Sequence, residues 1–120
     1  MDKQQAIHAF WAQFGLPAYD ETSVPDNAEL PYITHESAVS DFDRPVAQSA
    51  SIWMRATSWN TLVTYENAIS EVFTRGGVII HYDGGAAILR KGSPWSQRLT
   101  SENDDTVRRI FLNYEVEYLD

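Results

Sequence analysis

Between Lys3 and Phe14 the apolar residues Ile7, Phe10, Trp11 and Phe14 fall at i, i+3, i+4 and i+7, which sets all four on one stripe of a helix. Gly15 supplies a stop, with Pro17 beyond it. Residues 16 to 31 then mix Pro17, Pro25 and Pro31 with Asp20, Asp26 and Asn27, which suits a connector and neither a helix nor a central strand. Tyr32 to Val39 is β-compatible. Gln48 to Thr57 alternates, with Ala50, Ile52, Met54 and Ala56 on one face and Ser51, Trp53, Arg55 and Thr57 on the other. The segment Ser40-Asp41-Phe42-Asp43-Arg44-Pro45 between these strands is longer than a tight hairpin needs and is expected to protrude.

Asn60 is expected to cap a second helix, because Leu62, Tyr65, Ile69, Val72 and Phe73 repeat at helical spacing before Gly76-Gly77 closes it. Val78 to Asp83 and Ala86 to Lys91 flank Gly84-Gly85, which predicts a hairpin with a two-residue glycine turn. A polar loop is expected from Gly92-Ser93-Pro94-Trp95 to Asp105. The longest alternation follows. Ile110, Leu112, Tyr114, Val116 and Tyr118 share one face of this last strand, and Arg109, Phe111, Asn113, Glu115 and Glu117 share the other. The order α-β-β-α-β-β-β predicts an α+β domain over residues 1–120, with a mixed or largely antiparallel sheet of about four to five strands and both helices on one face.

Composition narrows the function. At 120 residues the chain suffices for one core, and 43% hydrophobic with 22% charged residues fits a globular fold. Its 17 acidic and 9 basic residues give −8, which weighs against a protein whose main task is gripping nucleic-acid phosphates. No cysteine is present, so disulfides, thiolate metal sites and cysteine nucleophiles are excluded. The N-terminus lacks the apolar core of a signal peptide, and no 18-residue apolar run occurs, so a soluble, unexported protein is expected.

Candidate chemistry is sparse. His8, His35 and His81 are separated by 27 and 46 residues without metal-ligand spacing, and scattered histidines of this kind are ordinarily surface or half-buried polar groups. Glu115 and Glu117 could pair as carboxylates on one strand face, although a solvated face or a subunit contact explains them better. Glu102, Asp104 and Asp105 could hold a divalent cation, against loop solubility as the default. The glycine pairs lack a phosphate-loop pattern, and no GxSxG occurs. No enzyme, metal or cofactor is therefore expected.

The aromatics carry more: four Trp, six Tyr and five Phe, of types that interfaces concentrate. Trp53 shares a strand face with Arg55, and either an interface or a helix-covered core would suit it. Trp95 is the stronger interface candidate, because a loop Trp enters a core only if the loop folds back. The candidate interface set is Asp41, Phe42, Asp43, Arg44, Trp53, Arg55, Trp95, Arg98, Glu115 and Glu117.

The succession Leu30-Pro31-Tyr32-Ile33-Thr34, Ser51-Ile52-Trp53-Met54-Arg55 leading into a helix, Gly76-Gly77-Val78-Ile79-Ile80, Gly92-Ser93-Pro94-Trp95 and the closing run from Arg109 to Tyr118 resembles the small tail-terminator and tail-completion proteins of long-tailed bacteriophages. The resemblance, in element order and short stretches, spans roughly residues 30 to 119; the opening helix and connector depart from it. It implies a structural virion subunit, not an enzyme, that closes into a ring, usually a hexamer, on the tail tube and meets the head connector. Its partners would be itself, the tail tube protein and the connector or neck protein, with DNA passing through unbound. Edge strands or protruding loops can close head-to-tail contacts into such a ring, and an acidic lumen would ease the passage of DNA. A neighbouring neck protein of similar fold is a second reading. A third is an acidic DNA mimic that inhibits a nucleic-acid enzyme, with Asp20, Glu21, Asp26, Glu29, Asp41, Asp43, Glu102, Asp104 and Asp105 arrayed along one face.

Overall fold

The computed structural model describes residues 1–36, 38–39, 45–100 and 103–119. Their order is α1 (Lys3–Ala12), β1 (Ala18–Asp20), β2 (Tyr32–His35), β3 (Val46–Arg55), α2 (Asn60–Val72), β4 (Val78–Tyr82), β5 (Gly85–Thr100) and β6 (Val107–Tyr118). The strands form one sheet, ordered β1-β2-β3-β6-β5-β4. β1 lies parallel to β2, and every other neighbouring pair is antiparallel.

α1 starts with a capping box, in which the Asp2 side chain accepts from the Gln5 backbone N–H and the Gln5 side chain accepts from that of Asp2. Its stripe buries Ile7, Phe10 and Trp11, while Phe14 lies just past the helix end and packs against both rings. α2 departs from expectation at its start. Asn60 is the first helical residue and Trp59 holds the cap position without a side-chain cap bond, so Asn60 does not cap. The stripe on α2 is nevertheless as the spacing predicts, with Leu62, Ile69 and Phe73 buried.

Both helices cover the sheet face that carries Ile110, Leu112 and Tyr114. The Trp11 indole N–H donates to the Tyr114 hydroxyl at 3.2 Å, and Phe73, at the end of α2, stacks edge-on against Phe10. Lys91 donates to Ser70 of α2 from the same side. The alternation of β6 is as read from the sequence, with Ile110, Leu112, Tyr114, Val116 and Tyr118 all buried.

Three differences from the sequence reading have clear causes. β1 adds a strand inside the connector, giving six strands and the order α-β-β-β-α-β-β-β. Three edge residues after Pro17 are too few to show a period. The hairpin turn is Asp83-Gly84, with Gly84 at φ +93°, because Tyr82 pairs with Gly85, so the turn lies one residue earlier than the glycine pair suggested. The expected loop after Lys91 is instead the second half of β5. The register slips between Lys91 and Ser96, a bulge that lets the strand pass through Gly92, Ser93 and Pro94 and resume pairing with β6 as far as Thr100. The expected protrusion at 40–45 falls outside the described residues, apart from exposed Pro45.

The turn from α2 to β4 depends on glycine. Gly77 has φ +103°, and a Cβ there would stand 2.7 Å from the Leu89 carbonyl oxygen and 2.8 Å from Ile88 Cγ2. Gly76 also has positive φ, +95°, but its Cβ would meet nothing within 4 Å. Gly77→Ala is therefore expected to destabilise by about 2–4 kcal/mol, joining backbone strain to a clash, and Gly76→Ala by about 1–2 kcal/mol from strain alone. Urea unfolding of the two variants side by side tests that ranking.

Candidate functional site

The sheet face opposite the helices is uncovered among the described residues. Register pairing across four strands aligns Tyr32, Trp53, Arg109 and Leu99 in one row on this face. The Trp53 indole N–H donates to Thr34 Oγ1 at 2.8 Å, which fixes the ring on the surface of the sheet. The Arg109 guanidinium sits 4.6 Å from the Trp53 ring centroid and 5.0 Å from that of Phe111, and its Nε donates to Ser51 Oγ at 2.8 Å. Tyr19 extends the aromatic surface by meeting Tyr32 edge-on at 5.6 Å. Leu99 ends the row at 41% exposure.

Trp53 thus lies on the helix-free face, half-buried by neighbours on its own sheet. Arg55, at the end of the same strand, donates to Asp104 and Thr106 at 2.6 Å each. With the Thr106 bonds leading and Arg55 adding to them, the Asp104 carboxyl is held down to about 2. That pairing ties Asp104 to the protein itself.

Trp95 goes the other way. The bulged strand folds back, so its ring packs 4.9 Å from Phe73 on the helical side, with the Lys91 ammonium 5.2 Å from its centroid. Its indole nitrogen is buried without a hydrogen-bond partner among the described residues. Arg98, also on that side, stands 5.4 Å from the Trp59 centroid, and Arg108 stands 5.1 Å from it. Glu117 accepts from Arg90 at 2.5 Å, whereas Glu115 is exposed. Asp41, Phe42, Asp43 and Arg44 lie outside the described residues. The candidate residues therefore divide between two faces: Trp53, Arg55, Glu115 and Glu117 on the bare sheet face, Trp95 and Arg98 on the helical one.

Sequence reasoning put Arg109 and Phe111 on the right face but did not single them out. The signal that could have found them is cross-strand register, which no single strand reveals. Two histidines distant in sequence also meet. His35 Nδ1 faces the Glu36 carbonyl oxygen at 3.2 Å, which can only accept, so Nδ1 carries the proton, and Nε2 accepts from His8 Nδ1 at 3.1 Å. The ring centroids are 5.3 Å apart, so the rings meet end-on, as a shared proton requires. A metal would need both lone pairs aimed at a third point. Among the described residues no group of three or more His, Cys, Asp or Glu is placed to hold a metal ion. No helix there is long and apolar enough to cross a membrane.

No family model matches this chain, and no curated protein matches it. Its fold does occur among solved structures. A chain of the virion of a native gene transfer agent particle superimposes with a TM-score of 0.71 at 19% identity, over 97% of this chain and 93% of that one. A second solved chain gives a TM-score of 0.59 at 9% identity, over 98% of this chain and 90% of its own length. At these identities the likeness is one of fold.

Proposed function

We propose that the chain is a structural subunit of a phage-like virion and, within that class, a tail terminator or completion protein that forms a ring on the tail tube and meets the head connector. The observation that carries this reading is the near-complete overlap, in both directions, with a chain of the gene transfer agent virion. Neither chain needs a large extra domain to account for the other. The sequence resemblance over residues 30 to 119 points to the same class. A large uncovered sheet face rich in Trp, Tyr and Arg suits a protein that works by contact.

Negative-stain imaging of the purified protein, alone and mixed with tail tubes, tests the proposal. Closed rings, and tubes capped at one end, are the expected result. Protein that stays monomeric in both conditions and leaves tube ends bare would refute it, and rings that bind only the head connector would reassign the subunit to the neck.

A further inference from the structure

The row Tyr32, Trp53, Arg109 and Leu99 contains a cation that forms no ion pair among the described residues. Arg109 is half-buried between two aromatic faces, and only its Nε has a hydrogen-bond acceptor, Ser51 Oγ, among the described residues. A guanidinium has five N–H donors in a rigid fork, so its other donors are held in place without a protein acceptor among the described residues. No carboxylate lies within ion-pair distance among the described residues; Glu21 acts on Arg109 only through its field. Burial accordingly pushes the Arg109 pKa down, which means that the cation is poorly compensated where it stands.

Beside the row runs a groove of about 640 Å³, lined by Glu29, Leu30, Tyr32, Trp53, Arg55 and Val107. Together these make a fixed guanidinium beside a cleft of mixed polar and apolar lining, with Arg and aromatic anchors of the kind that dominate interfaces. The surrounding protein is acidic, at −8. Its opposite, helix-bearing side exposes carboxylates, among them Glu71 on α2 and Asp2 at the start of α1.

We propose that the Arg109 row is the docking surface for a second copy of this chain, which presents a carboxylate from its helix-bearing side to the Arg109 fork. This rests on the ring reading and deepens it. A head-to-tail ring joins unlike surfaces, and the bare sheet face and the helical layer are opposite sides of one subunit. The complementarity is electrostatic, so the contact weakens as salt rises.

Leu99 provides a clean test. It is exposed, and it faces Arg109 directly across the strand pair, so the carboxylate of Leu99→Glu would occupy the fork from within the subunit. Sedimentation velocity of wild type, L99E and R109Q, over a concentration series at low and high salt, is the experiment. Wild type is expected to associate in a salt-sensitive manner. Both variants are expected to dissociate at concentrations roughly tenfold higher or more, as for loss of a close interfacial charge pair. L99E should keep wild-type thermal stability, so its dissociation cannot be ascribed to misfolding. If L99E assembles as wild type does, the docking surface is wrong and the ring reading survives. Wild type that remains monomeric throughout overturns the docking proposal, whereas the ring reading falls only if tail tubes also stay uncapped.

Discussion

Trp11→Ala is expected to remove about 3–5 kcal/mol of stability, a large share of the 5–15 kcal/mol that holds a typical domain together. Trp11 is fully buried, at 0% exposure, and is the largest side chain in the core. Its ring touches Phe10, Phe14, Phe73 and Tyr114, so it joins α1, the end of α2 and the central strand β6. The indole N–H also donates to the buried Tyr114 hydroxyl. Burial keeps that phenol well above its usual pKa and therefore neutral, so loss of the indole leaves a buried hydroxyl short of a partner as well as a cavity. Trp11→Phe would keep part of the volume and should lose less. Urea unfolding followed by circular dichroism will rank the three proteins. Equal stability of wild type and Trp11→Ala would mean that α1 is not docked as described.

Acidification is expected to loosen the same helix by another route. Burial, more than any charge, holds the His35 pKa below 6.5, with His8 lowering it further and the Glu36 carbonyl and Asp20 working the other way. The folded state therefore prefers neutral His35, while the unfolded chain takes up a proton near pH 6.5. Stability is complete above that value and declines as pH falls from about 6.5 toward the lower folded pKa. The slope can reach about 1.4 kcal/mol per pH unit for one proton. The geometry agrees, because a proton on His35 Nε2 would face the His8 Nδ1–H that it now accepts from. His35→Gln keeps an acceptor for His8 and a donor for Glu36 but cannot be protonated. Unfolding curves at pH 7.5 and 5.5 should separate for wild type more than for His35→Gln; parallel behaviour would remove the histidine pair as the cause.

The elements legible in the sequence were those whose period could be counted. The alternation from Arg109 to Tyr118 identifies β6 and its buried face, and of the α1 and α2 stripes Ile7, Phe10, Trp11, Leu62, Ile69 and Phe73 are buried while Phe14, Tyr65 and Val72 are partly so. β1 was not legible, since three residues along a parallel edge leave no pattern. The continuation of β5 was hidden because Gly92, Ser93 and Pro94 are turn formers by type, and the pairing that overrides them comes from β6, far along the chain. The surface row was out of reach for the same reason. Trp53 and Arg109 stand 56 positions apart in the sequence and become neighbours only when β3 meets β6 in register. Trp95 shows the converse, a residue that looked exposed because its loop was not seen to fold back.

The position of β6 has a consequence for biosynthesis. It follows all the other strands in sequence but lies in the middle of the sheet, between β3 and β5. Until it leaves the ribosome, β1-β2-β3 and the β4-β5 hairpin share no strand pairing, each has an open edge, and only the helices span them. Closure therefore comes late and through distant contacts, which makes folding comparatively slow and leaves the two pieces prone to sticking in the interval. The same order means that a chain truncated before residue 107 lacks the strand that unites the sheet and cannot form the row on which assembly is proposed to depend.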